Sequence, residues 1–446
     1  MINLFLIVLG KMLSFAIQSL NLGNGSTWPG HIALLVNKNF IQDMLRGSKV
    51  KIVIVAGTNG KTTTTKMIRT ILEASGKTVL QNHSGANLLN GIASSLLLHS
   101  NILSTINADY AIFEIDENTL PLIIKELTPD YVLLLNLFRD QLDRYGEVHT
   151  IAKKWGKTIA LLPEKTTLML NADDPEIANL GKGVKAGVLY FGLGEEVVGK
   201  KTHEHAVDSV YCPRCGSKLS YKKIFFSHLG IWKCNACTFS RSHLNISNYT
   251  YYPLTGIYNM YNTLSAVLLA RTIRIDGSII QEALKKFSPA FGRQESIVLN
   301  GKKIKIFLSK NPTGFNESLR TITSLQGKTI LLALNDRIAD GRDVSWIWDI
   351  DMEEFVDGFS KIVITGDRAY DMGLRVKYSF DSKNQNYLAK PDLAPRDNSK
   401  VKILERSDAA VSEGLNRLDE KETLYILPTY TAMLEIRKIL TGKKIL

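Results

Sequence analysis

The sequence predicts an α/β chain of two open-sheet domains, the first interrupted by a small cysteine-bearing insertion. Three observations predict it. Short β-branched runs alternate with helical segments from residue 50 onward, the alternation breaks between about 205 and 245, and a second alternating series begins after residue 295. Strand and helix in that rhythm are the sequence form of a mostly parallel sheet covered by helices on both faces. The 446 residues, 45% hydrophobic and 22% charged, suffice for two or three packed domains and argue against a fibrous or disordered chain. The expected divisions are an N-terminal segment 1–45, a central domain 46–295 carrying the insertion at 205–245, and a C-terminal α/β domain 296–446.

Each element has its own signature. The run VKIVIVAG at 50–57 is apolar and β-branched almost throughout, which reads as a buried strand, and 62–74 reads as the helix after it. Further strands are expected at 110–116, 131–136, 166–172 and 187–192, with helical stretches between the first four strands. The segment 205–245 holds all four cysteines, several aromatics and Lys222-Lys223 without a long helical period, so it reads as an insertion. Helical sequence resumes at 258–273. The second series places strands at 303–309, 329–335, 361–366 and 423–430, the last followed by a helix from Thr431. No internal repeat or low-complexity tract interrupts this order.

Fifty-five Lys and Arg against 43 Asp and Glu leave a net +12, which suits nucleotide phosphate, nucleic acid or an anionic membrane surface and selects none of them. Residues 1–20 have the apolar look of a signal sequence, but Lys11 interrupts the run and no small-residue cleavage site follows. The run is also shorter than the roughly 20 residues a bilayer-spanning helix needs. It is expected to form a helix packed on the body of the protein or lying on a membrane surface. Residues 1–51 carry Lys11, Lys38, Arg46, Lys49 and Lys51 against Asp43 alone, a balance that favours an anionic leaflet.

The strongest local signal is Gly57-Thr58-Asn59-Gly60-Lys61-Thr62, between a buried strand and a helix. A glycine-rich turn there lets backbone N–H groups converge on phosphate oxygens, and the helix N-terminus adds partial positive charge. Lys61 would reach the β- and γ-phosphates of ATP and the Thr62 hydroxyl would ligate Mg²⁺. The pattern is a shortened P-loop, with Val55 where the general form has its first glycine. Glu114, followed by Asp116 and Glu117, ends the strand at 110–116, at the edge where open α/β sheets bind ligands. A carboxylate there suits Mg²⁺ or one of its waters.

Cys212-Pro-Arg-Cys215 and Cys234-Asn-Ala-Cys237 form two knuckles separated by 18 residues, the spacing of a single tetrahedral Zn²⁺ site. Four thiolates leave no open position, so the zinc is expected to be structural. No His follows His243 and no Cys follows Cys237, so the C-terminal domain cannot carry a self-contained Cys-His or Ser-His-Asp nucleophile. That domain does carry an acid-rich loop, Asn335 to Asp343, followed by Val344-Ser345-Trp346-Ile347-Trp348-Asp349. Such a loop is either a solvated turn or a partner surface, for which Trp346 and Trp348 would be the anchors.

Taken together, the Gly57–Thr62 turn, the Glu114 strand end, Asp140-Gln141-Leu142-Asp143-Arg144-Tyr145-Gly146, Gly256-x-x-Asn259-x-x-Asn262-x-x-x-Ala266 and Phe291-Gly292-Arg293 resemble the Mur ligases. That family couples ATP hydrolysis to amide bond formation through an acyl phosphate. With the four-cysteine insertion and Asp340-Gly341-Arg342-Asp343-x-Ser345-Trp346-Ile347-Trp348-Asp349, the chain more narrowly resembles the MurT family, ligase-like subunits that work with a GatD-like glutaminase. The resemblance implies a Mur ligase-like central ATP-binding domain with a zinc-ribbon insertion and a Rossmann-like C-terminal domain that binds the glutaminase. It implies that Gly57, Thr58, Asn59, Gly60, Lys61, Thr62, Asn262 and Arg293 bind ATP, and that Glu114 and Thr62 support Mg²⁺. The implied substrate is the α-carboxyl of D-isoglutamate in the lipid II stem peptide, and the implied place of action is the inner face of the cytoplasmic membrane. Asp343 would complete the partner's Cys-His pair, with Asp340 and Asp349 as near competitors. Two departures, Gln141 in place of a metal-binding His and Lys310-Asn311-Pro312-Thr313-Gly314 without the histidine of the amino-acid-binding loop, both fit ammonia as the nucleophile.

Two other readings share part of these features. A single-chain Mur-type or folylpolyglutamate-type ligase shares the nucleotide motifs but predicts neither the zinc insertion nor the Asp340–Asp349 loop. A zinc-ribbon nucleic-acid-binding ATPase would use the net +12, but the chain has no concentrated basic stripe, and no nucleic acid is expected as a partner.

Overall fold

The computed structural model describes residues 2–20, 26–82, 85–101, 104–139, 148–201, 207–381 and 400–442. Its centre is a six-stranded, all-parallel sheet formed by β1 (Lys51–Ala56), β2 (Val79–Gln81), β3 (Tyr110–Ile115), β4 (Tyr131–Leu134), β5 (Thr167–Asn171) and β6 (Gly187–Phe191), in the order β2-β3-β1-β4-β5-β6. The β1 run is apolar on both sides because both of its faces are covered. Ile52, Ile54 and Ala56 pack into one cluster under the helices Trp28–Val36, Phe40–Leu45 and Leu89–His99. Val53 and Val55 pack into another under Lys61–Ala74, Ile257–Thr272 and Gly277–Lys285. Burial of each such side chain contributes about 1.5–3 kcal/mol.

The order of strands fixes where a ligand can sit. From β1 the chain goes to β2 and β3 on one side, and from β4 it goes to β5 and β6 on the other, so the loops after β1 and β4 diverge. The crevice at such a switch point is where open α/β sheets bind ligands.

The insertion is a two-stranded antiparallel hairpin, β7 (Leu219–Phe226) and β8 (Leu229–Cys234), with its own small core of Cys212, Leu219, Trp232, Cys234 and Phe239. The second large sheet has the order β13-β12-β11-β14-β10-β9, formed by β9 (Arg293–Leu299), β10 (Lys302–Phe307), β11 (Thr329–Ala333), β12 (Lys361–Thr365), β13 (Val401–Ile403) and β14 (Thr423–Pro428). Its strands are parallel except for the β9–β10 pair. The expected strands are all present, each within a few residues of its expected bounds. The edge strands β2, β9 and β13 were not expected, because short or half-exposed edges carry no apolar run.

The N-terminal helix Ile2–Ser19 has an inverted pattern. Three of its polar residues turn inward: Asn3 accepts from Asn37, the Lys11 ammonium donates to the Ser100 carbonyl at 2.6 Å, and Ser14 is buried. Leu6, Ile7 and Gly10 face the body, where a Cβ at Gly10 would stand 2.6 Å from Leu97. Ile2, Leu4, Phe5, Val8, Met12 and Phe15 face outward and are exposed, Phe15 to 72%. No described helix is long and apolar enough to cross a membrane.

Candidate nucleotide and metal sites

The turn after β1 lies in the crevice between β1 and β4 and is clamped by the residues that follow β4. Asn136 holds Asn59 reciprocally: the Asn59 N–H donates to Asn136 Oδ1 at 2.8 Å, and Asn136 Nδ2 donates to the Asn59 carbonyl at 3.0 Å. The Thr58 hydroxyl accepts from the Phe138 N–H at 3.0 Å and donates to the Phe138 carbonyl at 3.2 Å. Gly57 (φ +142) and Gly60 (φ +92) have left-handed backbone, and a Cβ would press on the Asn136 backbone at 3.0 Å in the first and collide with the Asn262 amide in the second. Only glycine meets both demands at once.

Lys61, Thr62 and Glu114 come together at the start of the helix Lys61–Ala74. The Lys61 ammonium donates to the Gly57 and Thr58 carbonyls and stands 3.7 Å from Glu117. The Thr62 hydroxyl donates to Glu114 Oε1 at 2.9 Å. Asn82 fixes the Glu114 backbone by accepting from its N–H and donating to its carbonyl, both at 2.9 Å. Glu114 Oε2 is buried without a hydrogen-bond partner. A buried carboxylate oxygen left bare is costly unless a cation or donor meets it. An oxygen-only donor set of hydroxyl and carboxylate fits a hard cation such as Mg²⁺.

Asn59, Gly60, Asn262, Arg293, Lys310 and Gly314 line a cleft of roughly 760 Å³ between the two large sheets, counting space open to solvent. Asn262 also packs on the turn, accepting from Thr64 Oγ1 at 3.4 Å. The two halves touch where Asn311 Nδ2 donates to Asn59 Oδ1 at 3.2 Å. Asn136 and Asn82 are site residues the sequence reading missed, and Asn311 was named only as part of the Lys310–Gly314 segment, without this contact. Asn136 had a detectable signal, an amide closing the apolar run of β4 beside the switch point; Asn82 had none. The Asp140–Gly146 motif, with Gln141, lies outside the described residues.

The four cysteine sulfurs lie within 4.8 Å of one another, with Cys212 and Cys237 at 3.7 Å and Cys215 and Cys234 at 3.4 Å. A Zn–S bond of about 2.3 Å sets a tetrahedral S···S edge of about 3.8 Å, so the cluster fits one Zn²⁺. Hydrogen bonds from Ser217 hold the Cys215 thiol down to about 6, whereas burial pushes the Cys212 thiol up to about 12.

In the acid-rich loop, geometry separates the three aspartates. Asp340 is buried and accepts from the Thr431 N–H at 2.7 Å and from its hydroxyl, tying the loop to the first turn of the helix Tyr430–Thr441. Asp349 stands 3.7 Å from Arg139 of the central domain. Asp343 is exposed and free to face outward; hydrogen bonds from the Ser345 N–H, at 2.8 Å, and the Ser345 side chain hold its carboxyl below the usual range. The two tryptophans part company: Trp346 packs on Phe315 in the core, and Trp348, 48% exposed, rests on Tyr378.

Comparison with known proteins places these features. Residues 55–270 match the Mur ligase middle domain, and residues 308–433 match the MurT ligase C-terminal domain. The lipid II isoglutaminyl synthase (glutamine-hydrolyzing) subunit MurT of Staphylococcus aureus (strain COL) is 34% identical over 377 residues, covering 79% of this chain and 83% of the relative. Its namesake from Streptococcus pneumoniae (strain ATCC BAA-255 / R6) is 33% identical over 445 residues, covering 95% and 94%. Among solved structures, a pseudomurein peptide ligase type C from Methanothermus fervidus aligns with TM-score 0.64 at 22% identity, over 90% of this chain and 81% of that one. A MurF ligase from Thermotoga maritima in complex with ADP aligns with TM-score 0.60 at 15% identity, over 91% and 83%. These structural likenesses concern the fold.

Proposed function

The chain belongs to the MurT family, and on that premise we propose how its residues perform the ligase half of a glutamine-hydrolysing lipid II isoglutaminyl synthase. The reaction is ATP-dependent amidation: the α-carboxylate of D-isoglutamate in the lipid II stem peptide and ammonia become D-isoglutamine, with ADP and phosphate released. The observation that carries the nucleotide half is the Thr62–Glu114 pair with its bare buried oxygen, set beside the Gly57–Lys61 turn at the switch point.

The turn presents its N–H groups and the helix N-terminus to the ATP phosphates. Lys61 leaves the Gly57 and Thr58 carbonyls to meet the β- and γ-phosphates. Thr62 and Glu114 would hold Mg²⁺, which neutralises charge spread over the transferring phosphoryl group. Asn262 keeps Gly60 in place, and Arg293 meets the nucleotide from the far wall of the cleft. A substrate carboxylate oxygen attacks the γ-phosphorus and the bond to ADP breaks, leaving an acyl phosphate. The ammonia nitrogen then attacks the acyl carbon, loses a proton and expels phosphate. Closing the two sheets on the cleft, across the Asn59–Asn311 contact, would protect the acyl phosphate from water.

Ammonia comes from a GatD-like glutaminase subunit in a heterodimer, because an activated Cys-His pair is needed and this chain's cysteines belong to the zinc cluster. Asp343 is the aspartate proposed to orient the partner's imidazole; Asp340 is consumed by Thr431. The cysteine cluster holds a structural Zn²⁺. The apolar outer face of the helix Ile2–Ser19 lies on the inner face of the cytoplasmic membrane, where a lipid-linked substrate is presented.

A steady-state ADP-release assay tests this reading. Turnover should require lipid II and ammonium together and should not respond to any amino acid. Turnover driven by an amino acid instead would make the chain a Mur-type or folylpolyglutamate-type ligase.

A further inference from the structure

The zinc hairpin and the nucleotide turn meet. The β7–β8 hairpin turns at Ser227 (φ +48), and the His228 side chain at its tip is wholly buried in the central domain. Its Nε2 stands 3.4 Å from Asp174 Oδ2 with neither ring nitrogen hydrogen-bonded among the described residues, and its ring lies 4.9 Å from the ring of Phe138. Tyr221 of the same hairpin donates to the His228 carbonyl at 3.0 Å, fixing the tip. Asp174 Oδ2 in turn accepts the Leu137 N–H at 2.9 Å, while Oδ1 caps the helix Pro175–Asn179. Residues 136–138 are the ones that clamp Thr58 and Asn59. The insertion also holds the next residue, since Asp208 accepts from the Arg139 N–H at 2.9 Å. Phe226, just before the tip, packs on Phe138 and lines the nucleotide cleft.

A solvent-exposed ribbon needs no buried imidazole. The buried ring packs on Phe138 and beside Asp174, which accepts three backbone N–H groups, so the hairpin tip touches the strand end that Asp174 holds. We propose that His228 is a positioning residue: through Asp174 and Phe138 the folded zinc hairpin sets the clamp on Thr58 and Asn59, and hence the affinity of the turn for nucleotide phosphates. This rests on the nucleotide reading above.

The test measures Mg²⁺–ADP binding by titration calorimetry on the full chain with its glutaminase, alongside zinc content by elemental analysis. In His228→Ala, zinc should stay at the wild-type level while the ADP Kd rises about 10-fold, the effect of emptying a buried, well-packed position. KM for ATP should rise in step with kcat little changed, and His228→Gln, which keeps a polar side chain of similar size beside Asp174, should recover part of the loss. The exposed Lys233→Ala on β8 should bind as wild type does. If His228→Ala does not fold, His228→Gln decides the matter. A variant that retains zinc and fold and binds ADP within twofold of wild type overturns the inference. A wild-type chain that binds no nucleotide overturns the reading beneath it.

Discussion

Thr62 and Glu114, 52 positions apart, meet at 2.9 Å through a hydroxyl and one carboxylate oxygen, and the other oxygen, Glu114 Oε2, is buried without a hydrogen-bond partner. One residue lies in the first turn of a helix and the other near the end of a strand, so only the folded sheet makes the pair. A half-satisfied buried carboxylate is unfavourable by itself, and a bound cation removes the cost.

Glu114→Gln keeps the Thr62 contact and the shape but loses the charge. It should lower kcat for lipid II-dependent ATP turnover by about 100-fold or more, with ADP binding in the absence of Mg²⁺ little changed. Equal Mg²⁺ dependence in variant and wild type, read from turnover against Mg²⁺ concentration, would remove Glu114 from the metal site.

The acid-rich loop yields a paired prediction. Asp343→Asn should cut glutamine-driven amidation by about 10³- to 10⁴-fold, and ammonium should restore amide formation. Since hydrogen bonds hold the Asp343 carboxyl below the usual range, its charge persists as pH falls into mild acid. Asp340→Ala should act differently: loss of the acceptor for the Thr431 N–H should cost about 1 kcal/mol, seen as a lower Tm. If instead Asp340→Asn abolishes only the glutamine-driven reaction, the two roles are exchanged.

Zinc analysis of the purified chain should give one ion per chain, held by Cys212, Cys215, Cys234 and Cys237. Cys234→Ser should lose zinc and unfold at lower temperature, since the hairpin core contains Cys212 and Cys234 themselves. Full retention of zinc in that variant contradicts a four-sulfur site.

The outer face of the helix Ile2–Ser19 should bind vesicles containing anionic lipid. Phe5→Glu with Phe15→Glu should abolish co-flotation with such vesicles while the Tm changes little, because both side chains are exposed. Co-flotation of the variant at the wild-type level would assign that face to something other than lipid.

Much of this was legible in the sequence, for local reasons. The Gly57–Thr62 turn and the cysteine knuckles are contiguous, and buried parallel strands write themselves as apolar runs. Edge strands do not: β9 alternates toward solvent and β13 is three residues long. The contacts made by the site's amides could not be read from the sequence, for a different reason. Asn82, Asn136 and Asn311 act through tertiary contacts across 32, 77 and 252 positions. The tryptophan pair shows the same limit, because spacing alone cannot tell that Trp346 turns inward and Trp348 outward.

The most direct measurement follows the nitrogen. Purified chain, co-purified glutaminase, ATP, Mg²⁺ and lipid II are supplied with glutamine carrying an isotopic label on its side-chain amide, and the stem peptide is read by mass spectrometry. The account predicts that one carboxyl of the stem peptide becomes a labelled amide, with ADP formed in equal amount, and that without the glutaminase only added ammonium supports the reaction. A stem peptide that stays a free acid under both nitrogen sources while ATP is consumed, or one that gains a whole amino acid, would contradict it.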